Sequence, residues 1–371
     1  MESVLRECDV VVRDTMESIL HSPLLDTQWQ QAILSTSLGG LGLRSSALHA
    51  PAAYISSVLA CSKLDGWNPT NAEDFDTTLV MLRERTKENL FESMQDFPDV
   101  SQSDFSSRID TSQWNTIMQI SGEADCSRIR SCSSSGLPSA WLNAVPSPFA
   151  GAAFSPRIFA IAVKLWLGAQ IQTTTANCPF CKKRMDDKGY HACTCRNKGT
   201  FTRRHNKLVH VILAFCKQGF LAPKLEPCIP TIQHRNGITR ECNTRGDIIL
   251  QMHSTTRPCA IDVAVTSPLQ PKYIKEAAKV TGYAAEKYAE EHKVSMYATG
   301  FGEQGVIATP VVFETFGSVC YEGTKVLKEI AGSVAVYQNI TVNKAMQMMN
   351  EQLSCSLMQS NALAVLERNV L

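Results

Sequence analysis

The sequence predicts a multidomain chain of mixed α+β and α/β class, with a helical N-terminal region, a small cysteine–histidine knuckle, and an α/β core that ends in further helices. Three observations predict this. Apolar residues recur at helix-like intervals through roughly the first 95 positions, a Cys/His cluster interrupts the chain at 178–195, and after Gly219 the texture turns to short β-branched runs between polar turns. The 371 residues suffice for two or three domains, and a hydrophobic content of 44% supports a sizeable core. The formal net charge of +1 says nothing about a nucleic-acid partner, so any basic surface must be local.

From the N-terminus, Met1-Glu2-Ser3-Val4-Leu5-Arg6-Glu7 is not a secretory signal, because charges break up the apolar residues. Val4–Ile19 reads as a helix, followed by a glycine-rich turn at 38–43 and a helix over about 50–62. The next helix, over about 73–94, has Asn71 and Glu73 as a start signal. Residues 98–136 are rich in Ser and Asp and read as a linker, with Ser133-Ser134-Ser135-Gly136 as its clearest breaker. An amphipathic helix is expected over Pro156–Leu167, where proline suits the first turn. Its run from Ile158 to Leu167, interrupted by Lys164, is too short to span a membrane, and no membrane partner is expected. A helix over Arg204–Cys216 stops at Gly219. Strands follow at Asp247–Met252, Ala260–Thr266 and Val306–Phe313, with a long helix at about Lys272–Lys293 before the last strand. The stretch from about Tyr321 to Arg368 is mostly helical.

Of the fourteen cysteines, ten are scattered without framework spacing, which fits a reduced intracellular protein better than a disulfide scaffold. The exception is Cys178-x2-Cys181-x9-His191-x3-Cys195. A Cys-x2-Cys pair places two thiolates at one corner of a tetrahedral zinc site, and Pro179-Phe180 between them suits a tight turn. Neighbouring Lys182, Lys183, Arg184 and Lys188 favour the thiolate form. Cys193 is a rival for the fourth position, and a redox-active Cys-x-x-Cys pair is the competing interpretation. Four protein ligands make a closed, structural site. The segment 182–217 carries ten lysines and arginines against only Asp186 and Asp187. Lys182, Lys183, Arg184, Arg203, Arg204, His205 and Lys207 are the candidate contacts to nucleic-acid phosphates, with a merely solvated loop as the alternative.

Asp247 opens one strand and Asp262 lies inside another that is otherwise apolar. If the two form a hairpin about Ser254-Thr255, paired residue numbers sum to 509 and the two aspartates face each other. Directly opposed Cβ atoms lie about 4.5–5.5 Å apart, so two carboxylates there repel unless one is protonated or both hold a cation. A hard, oxygen-bound ion such as Mg²⁺ is the natural occupant. The structural alternative is an aspartate at a strand end and another in a turn. A lysine should stabilise the charge that develops at an attacked phosphate. Position 264, two residues after the second acid, is alanine, so Lys279 or Lys287 of the following helix must supply it.

Several motifs, in order, carry a family resemblance: Ser139-Ala140-Trp141-Leu142-Asn143-Ala144, Cys178-Pro179-Phe180-Cys181, His191 with Cys195, Arg204-His205-Asn206, Arg245-Gly246-Asp247, Asp262–Leu269 and Glu314-Thr315-Phe316-Gly317. From about residue 137 the chain resembles the C-terminal end of non-LTR retrotransposon polyproteins that carry a restriction-like endonuclease. Upstream, Leu38–Leu43 with Ala50-Pro51-Ala52-Ala53-Tyr54 is similar to the helical thumb that follows a reverse-transcriptase palm. The resemblance implies a thumb-like region at 1–97, a linker at 98–136, a helix plus zinc knuckle at 137–200, and a restriction-endonuclease-like α/β core with C-terminal helices at 201–371. It implies DNA or RNA as partner, structural Zn²⁺, and catalytic Mg²⁺ on Asp247 and Asp262 for nicking target DNA. A nuclear setting follows if the chain functions so, and no small-molecule cofactor is expected. Gly246 replaces the family's usual proline, and Ala284 stands where its helix lysine should precede Lys287-Tyr288. No Tyr-x-Asp-Asp palm signature is present, so reverse transcription is not expected. The chain reads as a truncated element copy or a host gene derived from one. Its alternative function is a catalytically degenerate, zinc-dependent nucleic-acid-binding protein.

Overall fold

The computed structural model describes all residues except 1, 65–71, 89–99, 134–135, 173–175, 196–198, 227, 236–237, 295–300, 302–304 and 369–371, and it does not describe the side chains of 228–245 and 292–294. The chain divides into two compact units, Met1–Ser121 and Gly122–Leu371.

The first unit is helical: α1 (Glu2–Leu20), α2 (Asp26–Ile33), α3 (Ser46–Cys61), α4 (Ala72–Thr86) and α5 (Gln102–Ile120). Its core joins Ala52, Ile55 and Leu59 of α3 to Phe75, Leu79 and Leu82 of α4 and to Phe105 and Ile109 of α5. Asp9 of α1 secures the start of α3 by accepting from the Ser46 N–H at 2.6 Å and the Ala47 N–H at 3.3 Å. Backbone donors at a helix start have no partner within the helix, so such an acceptor is stabilising. The glycine-rich turn has a steric reason at Gly40, where a Cβ would lie 2.0 Å from the Leu34 carbonyl oxygen.

Within the expected linker, 98–136, the described residues are largely helical. They form α5 and, in the second unit, α6 (Glu123–Cys132). Serine content misled the sequence reading. Ser101 and Asp104 form a reciprocal cap, with Asp104 Oδ2 accepting from the Ser101 N–H at 2.9 Å. Phe105, Ile109 and Ile117, and then Cys126, Ile129 and Cys132, are buried at helical spacing. Several polar residues between them, Ser106, Asp110, Ser112, Ser127, Arg128 and Ser131, are buried as well, so polarity does not mark the exterior here.

The second unit continues with α7 (Ala140–Asn143), α8 (Pro156–Leu167), α9 (Tyr190–Thr194) and α10 (Thr200–Gln218). Its described residues form strands β1 (Lys224–Leu225), β2 (Cys228–Arg235), β3 (Ile238–Arg245), β4 (Ile248–Leu250), β5 (Cys259–Thr266) and β6 (Ile307–Glu314). Short helices α11 (Ile274–Ala277) and α12 (Tyr283–Tyr288) join β5 to β6, and α13 (Tyr321–Gln338) and α14 (Val342–Leu366) follow. The main sheet has the order β1-β4-β5-β6, antiparallel except for the parallel β5–β6 pair, while β2 and β3 form a separate hairpin. The coarse expectation of mixed helix and sheet therefore stands.

Alternation along the strands decides the layering. Ile261, Val263 and Val265 face a core built with α10, α13 and α14. Ala264 and Val312 face the other way, onto Ala285 and Ala289. Helices thus cover both faces of the sheet. The single long helix expected over 272–293 is instead broken. Gly282 sits in the left-handed region at φ +76°, starting α12 afresh, and Ala289–Val294 winds as a π-helical turn.

Glu314 ends β6 deep inside this unit, with an exposure of 1%. Its Oε1 accepts from the Ala284 and Ala285 N–H groups at 2.9 and 3.3 Å. Burial pushes its carboxyl above the ordinary glutamate value, and these two donors only partly offset that. Below the ordinary value both folded and unfolded forms are protonated, and the stabilising contribution is complete. As pH rises the unfolded carboxyl loses its proton first, so the contribution shrinks and is gone above the folded-state value. Glu314→Gln should therefore flatten the decline of stability as pH rises above the ordinary glutamate value. Urea midpoints across that range check it, and identical slopes for the two proteins would refute it.

Candidate metal centre and the aspartate pair

The knuckle is built from a tight hairpin and one turn of helix. Asn177 and Arg184 bridge, Cys178 N–H donates to the Lys183 carbonyl at 2.8 Å, and Lys182 N–H to the Cys178 carbonyl at 2.9 Å. Lys182 takes a left-handed φ of +62° and its amine donates to the Pro179 carbonyl, 3.0 Å away. Helix α9 then carries His191, with Cys195 one turn on, its N–H bonded to the His191 carbonyl at 2.9 Å. Asp186, which the sequence reading counted only as an acid in a basic stretch, holds that turn in place. Its carboxylate accepts from the N–H groups of Lys188, Tyr190 and His191 at 3.0, 2.8 and 2.6 Å. The signal was an aspartate just ahead of a helix, a capping arrangement.

The ligand atoms of Cys178, Cys181, His191 and Cys195 all lie within 4.8 Å of one another, the one such group of three or more among the described residues. His191 Nε2 is 3.2 Å from Cys181 Sγ. Metal–ligand bonds of about 2.0–2.3 Å in a tetrahedron require separations of this order, so the cluster can hold a zinc ion. Cys193, the rival, is excluded from the group. It is 4% exposed, and burial pushes its thiol up to about 12. Burial also opposes ionisation of Cys178, but the backbone N–H groups of Cys181 and Phe180 with the His191 and Cys181 side chains outweigh it and bring that thiol down to about 6. Cys181 shifts upward: the Lys183 N–H favours its thiolate, but burial and the Cys178 and Cys195 sulfurs prevail. Thiolates crowded in this way call for a cation among them.

Two internal arginines tie the knuckle to the rest of the unit. Arg204 Nη1 donates to the Cys193 carbonyl at 2.9 Å and to Asn361 Oδ1 at 2.7 Å. Arg368 Nη2 donates to the Cys195 carbonyl and to Thr200 Oγ1, both at 3.2 Å, and its guanidinium lies 5.3 Å from the Phe180 ring centroid. This corrects one expectation: Arg204 is 4% exposed and serves as an internal anchor, not a surface phosphate contact. The other bases remain outside. Lys182, Lys183, Arg184, Arg203 and Lys207 are exposed, with Arg203 paired to Glu367. His205 is partly buried and belongs to the acidic pair.

The strands beside that pair keep the expected register: Ile248↔Ile261, Ile249↔Ala260 and Leu250↔Cys259 each sum to 509. Asp247 lies at the bend just before β4, where its N–H donates to the Ile261 carbonyl at 3.0 Å, so it is set beside Ile261, the neighbour of Asp262, and not in the ladder itself. Asp247 is held by two donors. The Val263 N–H donates to Oδ2 at 2.6 Å, and His205 Nε2 lies 3.1 Å from Oδ1. A carboxylate only accepts, so Nε2 carries the hydrogen. Asp262, half-buried, lies on the sheet face shared with Ala264. The two lysines face acids of their own segments: Lys279 Nζ is 3.0 Å from Glu276, and Lys287 Nζ is 3.2 Å from Glu290. They are 59% and 40% exposed, and Glu290 holds the Lys287 amine above the ordinary lysine value. Ala264 and Ala284, where the resemblance expects a lysine, are 7% and 0% exposed, both buried against neighbouring elements.

No protein-family model matches the chain, and no curated protein matches it. Among the described residues, no helix is long and apolar enough to cross a membrane.

Proposed function

We propose that Gly122–Leu371 is a metal-dependent DNA endonuclease of the restriction-like type, fronted by a nucleic-acid-binding zinc knuckle and derived from the C-terminal end of a non-LTR retrotransposon polyprotein. The observation that supports this is that Asp247, just before β4, bonds to Ile261 and Val263, the residues on either side of Asp262 in β5, with His205 against Asp247. Two adjacent carboxylates suit Mg²⁺. When bound, that ion supplies Lewis acidity to a phosphodiester and acidifies a water. Asp247 and Asp262 would hold it, and His205 fixes the orientation of Asp247. Lys183 and Lys207, exposed near the knuckle and on α10, would contact phosphates. Nuclear localisation follows from a DNA substrate and belongs to the same proposal.

Nicking of supercoiled plasmid with Mg²⁺ or Mn²⁺ tests it. Asp262→Ala should lower the rate roughly 100-fold or more. Nicking that survives this substitution would defeat the enzyme reading. A second reading, a nucleic-acid-binding protein without catalysis, is favoured by the packed Ala264 and Ala284 and by the commitment of Lys279 and Lys287 to nearby glutamates. Tight, salt-sensitive DNA binding with no cleavage is its signature.

A further inference from the structure

The first turn of α10 touches both sites. Thr200, Arg204 and His205 lie within six consecutive residues, and each makes a defined contact. Thr200 Oγ1 accepts from Arg368, which also donates to the Cys195 carbonyl. Arg204 donates to the carbonyl of Cys193, between ligands His191 and Cys195. His205, the next residue, contacts Asp247. Asn361 receives Arg204 on Oδ1 and donates from Nδ2 to the Thr315 carbonyl at 2.7 Å, so the same anchor reaches the end of β6.

We propose that this turn couples the two sites: a metal ion on Cys178, Cys181, His191 and Cys195 fixes Arg204 through the Cys193 carbonyl, and thereby holds His205 against Asp247. The physical basis is the cost of a buried guanidinium without its acceptor. Helix α9 is a single turn, too short to persist by itself. With the ligands tied to one ion, the carbonyls of Cys193 and Cys195 are fixed. Without the ion, α9 loosens and two buried cationic groups lose acceptors. A buried charge cannot tolerate that loss, so the turn that carries Arg204 must shift. His205 is one residue away on the same helix and moves with it. Arg204 and His205 are on this view positioning residues. The metal-ligand part stands on the cluster alone, whereas the consequence for catalysis rests on the proposed endonuclease reading.

Amide-resolved hydrogen exchange on the full chain tests the coupling without any activity assay. The Val263 N–H, bonded to Asp247 Oδ2, is the reporter, and the Phe313 N–H in the sheet core is the reference. Stripping the zinc with a chelator should raise Val263 exchange about tenfold or more relative to Phe313. Asn361→Ala, which removes one acceptor from Arg204 without deleting a charge, should raise it in the zinc-loaded chain. It should also speed zinc transfer to a chromophoric chelator by roughly 10–100-fold, the usual effect of losing an outer partner. Arg204→Lys should do the same. Val263 exchange that stays unchanged after zinc removal, or that rises only in step with Phe313, would overturn the proposal. Mn²⁺ titration separates the two readings. Failure of Mn²⁺ to bind the zinc-loaded wild type counts against the endonuclease reading, while the exchange result still decides the coupling.

Discussion

Cys178→Ser is expected to abolish stoichiometric zinc and destabilise the second unit by several kcal/mol. Cys178 is fully buried against Met185 and Cys195 at the centre of the knuckle. Its thiol sits near neutrality, at about 6, whereas a serine hydroxyl does not ionise in this range. Structural zinc contributes about 10–16 kcal/mol in small knuckle peptides, comparable to the whole stability of a domain at about 5–15 kcal/mol. Besides the cluster, Asp186, Arg204 and Arg368 hold α9, so the loss is of several kcal/mol and not of the whole fold. Elemental analysis should give one zinc per wild-type chain and none for the variant, whose thermal transition should be lower and broader. A wild-type chain that carries no zinc, or a variant that melts with it, would contradict this.

Gly317→Ala should cost about 3 kcal/mol or more, from two sources. Gly317 has a φ of +112°, a conformation an alanine strains to reach. A Cβ there would also lie 2.6 Å from Pro138 Cα, which is backbone and cannot rotate aside. Pro138 is itself pinned, since its carbonyl accepts from Ser354 Oγ of α14 at 2.9 Å. Gly151→Ala supplies the control, because φ there is +68° but nothing lies within 4 Å of an added Cβ. The difference between the two urea midpoints measures the clash together with the extra strain of φ +112° over +68°. Equal losses would mean the 136–143 segment yields more readily than its contacts indicate.

Much of this architecture was legible in residue pattern. Helix α8 runs over Pro156–Leu167 as read, because proline and serine mark its start and Gly168 its end. The hairpin register was readable from the polar turn about Ser254-Thr255, around which Ile248↔Ile261, Ile249↔Ala260 and Leu250↔Cys259 pair. The Cys178, Cys181, His191 and Cys195 cluster, which could hold a zinc ion, followed from spacing. What stayed hidden depends on tertiary context. The helices α5 and α6 look like linker until the burial of their few apolar residues is known. The helix over 272–293 carries a period but no warning of Gly282's backbone. Arg204 reads as one base among ten, and only packing shows that it points inward. The pairing of Lys279 with Glu276 and of Lys287 with Glu290, by contrast, is legible as i,i+3 spacing.

Helix α14 packs on α7, α8, α9, α10 and α13, and just beyond it Arg368 reaches back 173 positions to Cys195. This imposes an order in time. On a ribosome adding about 5–20 residues per second, the four ligands emerge roughly 10–30 s before Asn361 and Arg368. The four cluster residues are therefore available to an ion before the Cys193 and Cys195 carbonyls can be clamped. Cys181 and His191 stay partly exposed when α14 is in place, so the cluster keeps a side from which an ion can still reach it.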